Sequence, residues 1–143
     1  MNLLSYKYND NIWDFQEITL GKVNLIVGDS ATGKTRFLNT IKNFTDQVVS
    51  EKLQFPGHWN IKFTIKDKIF EWDIVIEKDT TNNESNIIKE KIILQKNKKQ
   101  QEDRVIIFRD TDSFSFNGVK LPKLSKNVAS IYLLKDEEDI AEI

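Results

Sequence analysis

The sequence predicts an α/β fold in which an antiparallel sheet is inserted after the first helix. Three observations carry that reading. The apolar run VNLIV (Val23 to Val27) shows little alternation, as suits a strand covered on both faces of a parallel sheet. From Lys34 the spacing becomes helical, with Phe37, Leu38, Ile41 and Phe44 recurring as on one amphipathic face. Alternation then returns across residues 59–121, the pattern of strands with one face in a core and one in solvent.

Taken in order, residues 1–27 read as strands: LLSYKY, a turn at Asn9 to Asn11, a segment around QEITL, a turn at Gly21 and Lys22, then VNLIV. The helix continues toward Val48, Val49 and Leu53 and fades before Pro56-Gly57, a turn pair. IKFTI and IFEWDIVIE form a hairpin around Lys66 to Lys68, with Phe70, Trp72, Ile74 and Ile76 opposed to Ile69, Glu71, Asp73 and Val75. DTTNNESN is a polar loop, KIILQ a strand, and KNKKQQED a charged turn before RVIIF. In FSFNGVKL the pair Asn117-Gly118 marks a two-residue hairpin turn, which needs positive φ at both centres. After Pro122, SIYLL (Ser130 to Leu134) reads as a last apolar strand, and KDEEDIAEI begins a helix whose acidic first turn suits the helix dipole. The expected organisation is one lobe: a core over 1–55, an antiparallel subdomain over 59–121, and a strand with a helix start over 128–143. An acidic, helix-starting end with no core element behind it reads as a cut rather than a finish.

Composition narrows the classes of function. The chain has 143 residues, enough for one domain with a modest core, since 39% are apolar. Charged residues make up 30% yet leave a net charge of -1, so no global field draws the chain onto nucleic acid or an anionic membrane. The absence of cysteine excludes disulfides and thiolate metal sites, and the single histidine, His58, excludes a histidine metal cluster. No apolar run approaches the ~20 residues that span a bilayer, and MNLLSYKYND lacks the basic-then-apolar order of a signal peptide. A cytoplasmic protein without a membrane partner is expected.

The specific motif is Gly28-Asp29-Ser30-Ala31-Thr32-Gly33-Lys34-Thr35, which fits G-x-x-x-x-G-K-[ST] without mismatch between an apolar strand and an amphipathic helix. Gly28 allows a sharp turn and Gly33 a close approach of backbone amides to phosphate oxygens. Lys34 reaches the β and γ phosphates as the catalytic cation, and the Thr35 hydroxyl ligates Mg²⁺. The helix opening at Gly33 adds its positive end. The whole loop from Gly28 through Asp29, Ser30, Ala31, Thr32, Gly33, Lys34 and Thr35, with Arg36 after it, is thus assigned to nucleotide phosphates, and the fold class becomes an α/β P-loop NTPase lobe. The Asp29 carboxylate, negative beside phosphates, is not expected to help.

A GTPase needs Asn-Lys-x-Asp and Asp-x-x-Gly. Asn97-Lys98-Lys99-Gln100 ends in Gln where the guanine-reading carboxylate belongs, and no Asp-x-x-Gly occurs. A small kinase would follow the first helix with further helices and a basic lid, where this chain has alternating strands. The order of elements, a strand pair before GDSATGKT and an antiparallel sheet after the helix, resembles the N-terminal part of ABC-type ATPase heads of the RecF/SMC-like kind, including AAA-family ATPases related to the OLD nucleases. That resemblance implies ATP and Mg²⁺ as ligands and hydrolysis by a homodimer of paired heads. It also implies a Leu-Ser-x-Gly-Glu signature and a second carboxylate motif downstream, and possible association with DNA or a nuclease effector domain.

Three stretches echo the absent motifs and are read as structural. VIIFRDTD has Arg109 between its apolar residues and Asp110; SIYLLKDEED has Lys135 before Asp136 and Glu137; Leu124-Ser125-Lys126-Asn127 lacks the Gly and Glu of a signature. The family's Mg²⁺-sensing Gln has no counterpart at Leu134 to Asp136, and neither Gln47 nor Gln54 is assigned to that role. The resemblance also implies an aromatic ring against adenine, and Tyr6, Tyr8 and Trp13 precede the loop at distances where ABC-type heads place one, although core packing is the expected use. Lys96, Lys98, Lys99 and Arg104 read as a solvated hairpin tip, since no aromatic side chains are interleaved. A different class of reading is a non-catalytic ATP-responsive interaction module whose sheet edges and last strand are completed by a partner chain.

Overall fold

Short turns between alternating segments force neighbours in sequence to pair antiparallel, and that rule builds the molecule. The structure, a computed structural model, describes residues 1–96 and 102–137. Its strands are β1 (Asn2–Asn9), β2 (Asp14–Thr19), β3 (Gly57–Ile65), β4 (Lys68–Lys78), β5 (Ser85–Leu94), β6 (Arg104–Arg109), β7 (Phe114–Phe116) and β8 (Val119–Leu121). Helix α1 (Lys34–Val48) lies between β2 and β3 in the chain, and α2 (Ser130–Leu133) follows β8. The strands form a single eight-stranded sheet in the order β2-β1-β3-β4-β5-β6-β7-β8.

Every neighbouring pair in that sheet is antiparallel. This corrects the expected α/β P-loop NTPase lobe with an inserted β-subdomain. The strands before and after α1 share one sheet, because β1 pairs with β2 on one edge and with β3 on the other. VNLIV is not a strand: β1 is already paired on both edges, and the run does not add to the outer edge of β2 either. Val23 is 92% exposed and Leu25 86%.

SIYLL is the second correction: it forms the short helix α2 rather than a strand. A buried polar cluster holds it. Glu90 on β5 accepts hydrogen bonds from the Ser130 backbone N–H (3.2 Å) and hydroxyl (2.6 Å), while Arg109 on β6 donates to the carbonyls of Val128 (3.0 Å) and Ser125. Arg109 Nη1 lies 3.7 Å from Glu90 Oε2, and both side chains are almost fully buried. Burial pushes the Glu90 carboxyl up, opposed by Ser130 and Arg109. The segment is thereby hung across the sheet by side chains, and Ile131 and Leu134 pack against the core.

Elsewhere the pattern holds. In β4, Phe70, Trp72, Ile74 and Ile76 are buried while the alternate residues are not. Helix α1 buries Phe37, Phe44 and Val48 against this face, though Leu38 points to solvent. Phe44 meets Trp72 edge-on at 5.0 Å, and Phe37 meets Tyr6 edge-on at 5.5 Å, contacts that add to the area each ring buries. Asn117 (φ 50) and Gly118 (φ 78) make the expected hairpin turn. Gly57 answers a different need: at φ 153, a Cβ there would lie 2.7 Å from the Tyr8 ring. Most of the turn KNKKQQED, residues 97–101, lies outside the described residues, as do residues 138–143 of the expected C-terminal helix.

Candidate phosphate-binding site

The loop runs from the exposed apolar segment into α1. Gly33 is the N-cap residue of this 15-residue helix, at φ 90, and no side chain caps it. The first helical backbone bond is from Phe37 N–H to the Gly33 carbonyl at 2.9 Å. The amides of Lys34, Thr35 and Arg36 therefore precede the hydrogen-bonded ladder and are directed at the helix end, where partial positive charge collects.

Lys34 curls back into the loop. Its Nζ donates to the Gly28 carbonyl (2.8 Å), to the Asp29 carbonyl, and at 3.3 Å to Thr32 Oγ1. Thr32 Oγ1 in turn donates to the Asp29 carbonyl at 2.9 Å. Gly28, Asp29, Thr32 and Lys34 are thus gathered around one ammonium, and Asp29 contributes its backbone rather than its carboxylate. Ser30 is exposed at the tip, and Ala31 takes the left-handed φ of 64, a conformation nothing in the sequence foretold. A Cβ on Gly28 would stand 2.9 Å from Thr32 Oγ1, so the close return of the loop requires glycine there.

Thr35 is exposed in the first helical turn. Its hydroxyl is the group here that would hold a Mg²⁺ ion, since no group of three His, Asp or Glu is gathered among the described residues. Arg36 is engaged elsewhere: its guanidinium donates to Asp10 Oδ2 at 3.1 Å. One end of a cleft of about 670 Å³ is closed by Gly28, Thr32, Gly33 and Lys34, and its other walls are mainly apolar, from Phe15, Ile18, Leu20, Phe37 and the Val23–Val27 run.

Sequence reasoning missed Asp10. Its carboxylate accepts bonds from the Tyr8 hydroxyl (2.6 Å), the Ile12 amide (2.7 Å) and the Trp13 amide (2.6 Å) in addition to Arg36. Desolvation pushes this carboxyl up, and the bonds from Tyr8, Trp13, Ile12 and Arg36 outweigh it, so its pKa is lowered. The available signal was an aspartate opening a turn and followed by free amides two and three residues on, a local bonding pattern typical of that residue. Of the three candidate rings, Tyr6 (0% exposed) and Tyr8 (4%) belong to the core, whereas Trp13 lies beside Gly33 and stacks on Phe15 at 6.0 Å.

The other stretches are committed to structure. Asp110 accepts bonds from the amides of Asp112 (2.8 Å) and Ser113 (2.7 Å), closing its own turn. Asp136 and Glu137 follow α2 and are exposed. The carbonyls of Lys126 and Asn127 accept from the amides of Ile87 (2.7 Å) and Leu53 (3.1 Å), which makes Leu124 to Asn127 a docked loop. Gln47 is buried and its Oε1 accepts the Phe55 amide at 3.1 Å. On the other face of the sheet His58 Nε2 lies 2.5 Å from Asp73 Oδ1, and Lys89 donates to Asp73 Oδ2 at 2.9 Å. His58 and then Lys89 hold the Asp73 carboxyl down to about 2.

No family model matches this chain, and neither a curated protein nor a solved structure matches it. The functional reading rests on the residues themselves.

Proposed function

We propose that the chain binds Mg²⁺-ATP through the loop Gly28 to Thr35, with Lys34 on the β and γ phosphates and Thr35 on the metal. The observation that supports this most is the Lys34 ammonium bonded to loop carbonyls at the uncapped start of α1. Phosphate oxygens carry full negative charge and would replace neutral carbonyls as partners of the ammonium, forming stronger charge-assisted bonds. The α1 amides add donors that need no rearrangement. Adenine rather than guanine is favoured because the sequence lacks a guanine-reading Asn-Lys-x-Asp.

Turnover is assigned to a longer assembly, a pair of such heads in which downstream signature and carboxylate motifs orient the attacking water. Phosphoryl transfer needs metal, cation and positioned water together. The test is calorimetric titration with Mg²⁺-ATP and Mg²⁺-GTP. Lys34→Ala should weaken Mg²⁺-ATP binding by about 10- to 100-fold, the worth of a charge-assisted bond. Equal affinity in the wild type and the variant overturns the assignment.

A second reading, a non-catalytic ATP-responsive module completed by a partner, is favoured by one observation. Val23, Leu25 and Val27 stand 92%, 86% and 76% exposed directly before the loop, an apolar run with no cover. It predicts negligible phosphate release even when heads are paired, and measurable release in such a pair rules it out.

A further inference from the structure

Asp10 follows the last residue of β1 and opens the turn into β2, and its two oxygens have separate duties. Oδ1 accepts the backbone N–H groups of Ile12 and Trp13, at 2.7 and 2.6 Å, which fixes the turn. Oδ2 accepts the Tyr8 hydroxyl and the Arg36 guanidinium, at 2.6 and 3.1 Å. Both sets of bonds lead to the phosphate loop. The turn places the Trp13 ring so close to Gly33 that an added Cβ would meet it at 3.3 Å, and Arg36 belongs to the first turn of α1, next to Thr35.

We propose that Asp10 is a positioning residue of the phosphate-binding site, holding the Gly33 hinge through Trp13 and the first turn of α1 through Arg36. This rests on the nucleotide reading above. Lys34 and Thr32 tie the loop to itself, but the residues before it lie outside the sheet, so the bonds through Trp13 and Arg36 are what link it to β1 and β2. With the Arg36 side chain 45% exposed, solvent screens the Arg36–Asp10 pair and it contributes little to overall stability, so its effect is one of placement.

The two oxygens can be separated chemically. Asp10→Ala removes every acceptor. Asp10→Asn keeps an Oδ1 acceptor for the turn amides while presenting an NH₂ group to Arg36, so it frees the arginine and spares the turn. Affinities for Mg²⁺-ATP and for inorganic tripolyphosphate with Mg²⁺ are measured by calorimetry on the folded proteins, with Ile107→Val in β6 as a control that lowers stability away from the loop. Asp10→Ala is expected to weaken both ligands about tenfold, Asp10→Asn by about threefold, and the control not at all. Should Asp10→Ala fail to fold, Trp13→Leu and Arg36→Gln each cut one link and should each cost about threefold.

Unchanged affinity in Asp10→Ala, or in both single-link variants, overturns the proposal while leaving the nucleotide reading intact. Tighter binding by Asp10→Asn overturns it too, since Asp10 would then be restraining Arg36 from a phosphate. Equal weakening by the Ile107→Val control reduces the effect to lost stability and likewise overturns it. A wild-type chain that binds neither ligand removes the nucleotide reading and this proposal together.

Discussion

Strand β4 and the run Val23 to Val27 are both rich in Ile and Val, and only one of them buries its apolar side chains. In β4, Ile74 is fully buried and Ile76 is 1% exposed, whereas Ile26, the best covered of the run, is 39% exposed. The difference lies in the kind of demand each sequence makes. An alternating strand needs cover on one face and pairing from neighbours that short turns deliver. An unalternating run needs cover on both faces, and those elements must come from elsewhere in the chain or beyond it.

The largest test of this contrast is Arg109→Ala. It strands Glu90, fully buried, and strips the carbonyls that Arg109 holds, so unfolding in denaturant should show a loss of about 3 to 5 kcal/mol. A loss below 1 kcal/mol would mean that the sheet keeps α2 by apolar contact alone. Next comes Gly57→Ala, which forces a Cβ against the Tyr8 ring at an unfavourable φ and should cost about 1 to 3 kcal/mol in the same assay.

The pH response of the polar face is smaller. The Asp73 carboxyl is depressed in the folded state to about 2, so its stabilisation is fully present above the unfolded pKa near 3.9 and is lost as pH falls through about 2. With solvent screening at its nearly half-exposed partners His58 and Lys89 the effect is on the order of 1 kcal/mol, and Asp73→Asn should flatten that limb of the stability profile. An unchanged profile would detach Asp73 from His58 in solution. The smallest expected effect is Leu25→Ser in the exposed run, within about 0.5 kcal/mol. A loss of 2 kcal/mol there would show that the run is covered after all, and would break the comparison.

Most of the hairpin series was legible because its signals are local. Alternation in IFEWDIVIE assigned the faces of β4, Asn117-Gly118 set a turn by its φ requirement, and the helical spacing after Lys34 placed Phe37 and Phe44 against the sheet. The fate of VNLIV and SIYLL was not legible. Each satisfies the composition of a buried strand, but the first pairs neither with β1, whose edges are taken, nor with the outer edge of β2, and Glu90 with Arg109 captures the second as a helix. At the site, the order Gly28 to Thr35 was visible in sequence, while the return of Lys34 onto the loop carbonyls and the bonds from Asp10 were not.

The sequence by itself determined the order of residues in the loop, the amphipathic helix behind it and the Asn117-Gly118 turn, since each depends on residues within a few positions of one another. Only the tertiary structure decided that β1 and β2 join the strands after α1 in one antiparallel sheet, that the apolar run stays outside it, and that Asp10 reaches Arg36. Those outcomes depend on competition for strand edges and on contacts between residues far apart in the chain. No local pattern of residue types records such a competition.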